Sequence, residues 1–203
     1  GMSINLNGYI YGEGVYAQVG LFSVIAGSSA DDYARVQNLI FADVNIKADF
    51  YNGLSSVGAL AGDVNGYSQI DCVSVLSGNI EVNLSRRSDT VGAGGIIGEC
   101  RTSDSEVGNH NVSITNCYNG ATVTADSCTD YEYAGGIIGR ISKTKCKNIS
   151  NCINVAHVRF RGESAYGICP AEYSNLSLLS TMSNCYFIDD YGLRAMGSGA
   201  NAM

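Results

Sequence analysis

The chain has 203 residues, of which 45% are hydrophobic and only 15% charged, so there is ample material for a core and too little charge for a disordered tail. A net charge of −7 repels a phosphate backbone, and the twelve basic residues form only short pairs such as Arg86-Arg87, which excludes nucleic acid as an expected partner. No apolar run reaches the roughly 20 residues a membrane helix needs, so membrane insertion of this segment is not expected.

Taken in chain order, the segment 1–18 opens with Gly1-Met2-Ser3, which has neither the basic nor the apolar region of a signal peptide and reads as a tag scar on a piece of a longer parent protein. Its apolar residues Ile4, Leu6, Tyr9 and Ile10 are expected to form an N-terminal cap. From residue 19 to 186 two blocks recur in fixed order. The first is a glycine-bracketed apolar box: VGLFS (19–23), VGALAG (57–62), AGGIIG (93–98), AGGIIG again (134–139) and a worn YGIC (166–169). Successive copies are 38, 36, 41 and 32 residues apart when Gly20, Gly58, Gly94, Gly135 and Gly167 are aligned. The second block is an apolar residue, a gap, then Asn-Cys: ITNCYN (114–119), ISNCIN (149–154) and MSNCYF (182–187), with VQNLIF (36–41) and IDCVSV (70–75) as looser versions.

A third segment follows each pair and alternates with period two. Val44, Ile46, Ala48 and Phe50 oppose Asn45, Lys47 and Asp49; Ile80, Val82 and Leu84 oppose Glu81 and Asn83; Ala156, Val158 and Phe160 oppose His157, Arg159 and Arg161. Such alternation predicts strands with one buried and one wet face. No segment keeps a helical period. A unit this small cannot bury its own apolar face, whereas stacking units in register buries a continuous column. The expected fold is therefore all-β: one domain, a parallel β-solenoid of about five three-stranded coils, with residues 187–203 as a C-terminal cap and tail.

The repeat also places the cysteines. Cys72, Cys117, Cys152 and Cys185 are expected to share one slot as stacked, buried free thiols, with Leu39 in that slot in the first copy; strained disulfides between neighbouring coils are the alternative. Cys100, Cys128, Cys146 and Cys169 are expected in turns or worn boxes. With no Cys-x-x-Cys pair and only His110 and His157, no metal site is expected, nor any cofactor. Asn38, Asn116, Asn151 and Asn184, with Asp71 as the variant, are expected at a left-handed corner between strands. The doubled glycines Gly94-Gly95 and Gly135-Gly136 lack the helix or Lys of a phosphate loop and read as turn and close-packing positions.

At AGGIIG followed by ITNCYNGATV, and AGGIIG followed by ISNCINVAHV, the chain resembles the GLUG-motif repeats, with a GGLVG-like box before an NCY-like box. The opening NLNGYIYGEGVYAQVGLFSVI is similar to that family's lead-in. The resemblance implies a bacterial surface or secreted protein, extracellular or displayed on the cell, that binds a glycan or a surface protein; it carries no catalytic residues with it.

An enzyme is not expected. A polysaccharide lyase or hydrolase on a β-helical body would need converging carboxylates, and the wet column expected here, Asp49, Glu81, Thr124 and Arg159, contains no acid pair. Asp31-Asp32 and Asp189-Asp190 read as solvated turns. For a binding role the candidate contacts are Tyr131 with Tyr133 and the basic strip His157, Arg159 and Arg161. A passive spacer in a larger secreted protein is the remaining alternative.

Overall fold

The structure, a computed structural model, describes residues 2–6, 16–50, 53–84, 90–101, 111–127, 132–142, 146–160, 165–170, 182–188 and 200–202. The described residues contain no helix, and every pairing between named strands is parallel. Parallel strands need long connections between partners, and the chain supplies them by travelling through several strand segments before returning one position further along the same ladder. The result is a nearly closed parallel sheet, a β-helix-like body.

Among the described residues, five ladders make up its walls. The first stacks Tyr16–Val19, Leu54–Gly58, Val91–Gly94, Glu132–Gly135 and Ala165–Tyr166. The second stacks Phe22–Gly27 on residues 61–66, Ile97–Arg101 and Ile138–Ser142. The third and fourth are formed by the two arms of the Asn-containing block. The fifth stacks Met2–Leu6, Val44–Phe50, residues 78–84, most of Tyr118–Ser127, and Val158–Phe160.

The Asn block divides at its corner residue, as expected, and the glycine box divides as well, so five strand segments stand where three per coil were expected. In the Asn block the cause is a left-handed residue, which cannot continue an extended strand. The long strand Ala61–Leu84 shows this best: it passes through four ladders and carries positive φ at Gly66 (63°), Cys72 (53°) and Gly78 (129°). The worn box is also shifted by one residue, because Tyr166 pairs with Gly135 and so puts Gly167 beside Gly136.

The core follows the period-two reading. Val44, Ile46, Ala48 and Phe50 are buried, as are Ile80, Val82, Leu84, Val123 and Val158 beneath and above them. A second buried set, Leu60, Ile96, Ile97, Ile137, Ile138 and Ile168, comes from the boxes. The doubled glycines belong to this packing. A Cβ on Gly95 would lie 2.4 Å from Cγ of Asn119, and one on Gly136 would lie 2.3 Å from Cγ of Asn154. The second glycine of each pair makes room for a buried amide, and neither pair has positive φ.

The corner column reads Asn38, Cys72, Asn116, Asn151 and Asn184, with φ of 58°, 53°, 54°, 55° and 52°. Four Asn are where they were expected, and the fifth place belongs to Cys72 instead of Asp71. The register fixes this: Thr115 pairs with Asp71 and Gln37 pairs with Asp71, so Cys72 lies opposite Asn116 and Asn38. The slot beyond the corner is then Leu39, half-buried, with Val73, Cys117, Cys152 and Cys185, all buried, and Cys72 is exposed. Asp71 still joins the column through its carboxylate, which accepts from Asn116 Nδ2 at 2.8 Å; Asn151 donates to Asn116 at 3.0 Å and Asn184 to Asn151 at 3.2 Å.

Candidate functional site: an apolar stripe and a buried carboxylate column

The described cysteines are free. Cys117, Cys152 and Cys185 stack in one column, where Cys152 and Cys185 donate to the carbonyls of Ser150 and Ser183 at 3.3 and 3.4 Å. Cys100, Cys146 and Cys169, expected in turns or worn boxes, are fully buried, and two of them lie within strands. Hydrogen bonding with Cys146, then burial, pushes the Cys100 thiol well up, and burial does the same for Cys169. Cys100 and Cys169 are packing groups held in the neutral form. Cys128 lies outside the described residues.

The wet column of the fifth ladder is Lys47, Glu81, Thr124 and Arg159; Lys47 takes the place expected for Asp49. Lys47 Nζ lies 3.2 Å from Glu81, an exposed pair that contributes little to stability. Asp49 stands two residues along, where Asn83 Nδ2 donates to it at 2.5 Å. Asp32 lies in an exposed turn and accepts from Ser28 Oγ at 2.6 Å. Asp189 and Asp190 lie outside the described residues.

Of the expected contact residues, Tyr131 and Arg161 lie outside the described residues. His157 is half-buried and Arg159 exposed on the fifth ladder. Tyr133 is half-buried on the first ladder, with the Arg140 guanidinium 5.6 Å from its ring centre.

That arginine belongs to a column the sequence reading passed over. Asp63, Glu99 and Arg140 are register partners on three successive strands of the second ladder. Asp63 is 5% exposed and Glu99 4%. Arg140 Nη1 lies 3.4 Å from Glu99 Oε1, and Ser142 Oγ donates to the same oxygen. Asp63 Oδ1 has no hydrogen-bond partner among the described residues. Burial first, and then the Glu99 charge, raise the Asp63 carboxyl to about 7, against the opposing effect of Arg101. The signal was in the box alignment, since all three residues directly follow the last box glycine: Gly62-Asp63, Gly98-Glu99, Gly139-Arg140.

Two stacked carboxylates with one proton available near neutrality have the ingredients of acid–base chemistry. Their burial removes the other requirement, access for a substrate. Among the described residues no group of three or more His, Cys, Asp or Glu is placed to hold a metal ion.

Exposed apolar side chains lie at Leu21, Phe22 and Val24, at the start of the second ladder, and along the fourth ladder. Ile40, Ser74, Tyr118, Ile153 and Tyr186 are register partners on five successive strands, and all but Ile40, which has half-buried Leu39 on one side, lie between buried neighbours. Ile40 is 65% exposed and Tyr186 38%, with Tyr118 and Ile153 half-buried. Two residues further along, Leu76 is 50% exposed and Val155 and Ile188 are half-buried. Gly120 continues this second row, and a Cβ there would lie 2.3 Å from the Leu76 carbonyl oxygen. Neither row contains a charged side chain. A contiguous exposed apolar patch on a folded body marks a contact surface, whereas scattered exposed Leu or Ile do not. Tyr118 and Tyr186 were legible as the residue after a buried Cys, which period two turns outward.

No protein-family model, curated protein or solved structure matches the chain.

Proposed function

We propose that the chain is a non-enzymatic binding domain of a secreted or surface-displayed bacterial protein, as the GLUG-like boxes imply. Its body is a β-solenoid of about five coils with capped ends. The observation that carries the reading is the uncharged stripe of Ile40, Leu76, Tyr118, Ile153 and Tyr186, in which Ile40, Leu76 and Tyr186 are exposed and Tyr118 and Ile153 half-buried. The repeated residues all have internal tasks: glycines admit the buried amides, Asn forms the corners, Cys fills the core. The outward column has no such task and is open to a partner. A lyase or hydrolase is the second reading, favoured by the Asp63–Glu99 pair, and it ranks lower because both carboxylates are buried.

The test is a triple substitution, Ile40→Ser, Leu76→Ser and Tyr186→Ser, with the fold checked by far-UV circular dichroism. Wild-type protein is expected to bind on a glycan array or to immobilised extracellular-matrix proteins, and the variant to lose that binding. Wild-type binding that the variant keeps in full would remove the stripe from the reading, and binding to nothing would favour a spacer.

A further inference from the structure

We infer that the stripe takes a single extended, uncharged glycan chain laid along the stack of strands. This rests on the binding reading above and names the ligand class.

Size is the first reason. Five strands at about 4.8 Å span roughly 19 Å, and positions two residues apart on a strand are about 7 Å apart, so the stripe is on the order of 200 Å² in plan. A stable protein interface needs about 800 Å² on each partner. The stripe is too narrow for a second protein surface and has the proportions of one polymer chain.

Charge is the second. Neither row offers a cation to a carboxylate, sulfate or phosphate, and the protein as a whole carries −7. An acidic polysaccharide would be repelled at long range and find no ion pair on contact.

The third is the kind of side chain and its spacing. Sugar rings present apolar C–H faces with hydroxyls at the rim, and tyrosine offers an apolar ring face with a hydroxyl at its edge. Tyr118 and Tyr186 are two strands apart, roughly 10 Å, with Ile153 between them and the Ser74 hydroxyl in the same row. Ser74, Tyr118 and Ile153 lie on strands paired on both sides, so their backbone is ordered before a ligand arrives, which lowers the entropic cost of binding.

Isothermal titration of the full chain with cellohexaose, xylohexaose and mannohexaose, and with hexagalacturonate as the acidic probe, tests this. Wild type is expected to bind at least one neutral hexasaccharide, with an affinity insensitive to salt. Tyr118→Ala/Tyr186→Ala is expected to bind roughly tenfold more weakly or worse while keeping its circular dichroism spectrum. Binding of hexagalacturonate alone, neutral binding unchanged in the variant, or no sugar binding at all would overturn the inference. Sedimentation and matrix-protein binding on the same two proteins separate its failure from that of the broader reading. A protein contact or self-association lost in the variant leaves the surface standing without its glycan, and no difference between the proteins in any assay removes both.

Discussion

Two buried polar columns run through this body, and they solve the same problem differently. On the fourth ladder Asn119 and Asn154 are fully buried and satisfied. Asn119 Nδ2 donates to Asn154 Oδ1 at 2.8 Å and to the Ala121 carbonyl at 2.9 Å, while its own Oδ1 accepts from the Ala121 amide at 3.0 Å. On the second ladder Asp63, Glu99 and Arg140 stack two carboxyls against one guanidinium, with Arg101 acting on Asp63 from outside the column, and Asp63 keeps a bare oxygen. An amide carries donors and acceptor together, so identical amides can repeat along a stack indefinitely. Carboxylates only accept when ionised, so a second one must be neutralised or protonated.

The largest expected effect therefore lies in the charged column. The folded-state pKa of Asp63, about 7, stands above its ordinary value of 3.8, so the folded protein holds a proton that the unfolded chain releases. Its contribution is fully present below about pH 4 and is lost as pH rises through 7, a decline of roughly 4 kcal/mol. Urea denaturation at intervals between pH 4 and 8 should show it, and Asp63→Asn should flatten the profile. A wild-type profile that rises across this window and is matched by the variant would contradict the burial assignment. Asp71 acts in the opposite sense below this window, because hydrogen bonds from Thr115 and Asn116 hold its carboxyl low.

The amide column should show no such pH dependence. Asn154→Ala strips the acceptor from Asn119 Nδ2 and from the Ala156 amide, and should cost about 2 kcal/mol at every pH. A cost that varied with pH would mean that the two columns are coupled.

The smallest effect belongs to the exposed asparagines at the corner, which share a residue type with the buried pair but serve a different need. Asn151→Ala puts at φ 55° a residue without asparagine's tolerance of the left-handed region and should cost about 1 kcal/mol, whereas Asn151→Gly should cost only a few tenths. Equal destabilisation by Ala and Gly in thermal melts would show that the exposed amide ladder, and not the backbone angle, holds the corner.

These contrasts explain what could be read beforehand. The alternating segment from Val44 to Phe50 was legible because hydrophobic period alone determines its faces, and the corner asparagines because few residues tolerate positive φ. Cys72 was misplaced because IDCV offers two small residues in tandem, Asp71 and Cys72, and only the register decides which one turns the chain. The Asp63–Glu99 column was invisible to a rule that puts carboxylates on wet faces. Asn119 and Asn154 hid for the same reason, although the glycine opposite each was in plain view.

The parallel register has a mechanical consequence. Strands lie across the stack and their backbone hydrogen bonds point along it, so tension applied along the stack loads the ladders side by side and, within each ladder, loads successive strand-to-strand interfaces in series. A chain of bonds in series fails at its weakest member, and each strand released adds its contour length before the next is strained. Under such a pull the body should lengthen in discrete steps, with its breaking force set by a single interface between neighbouring strands and not by the number of strands stacked.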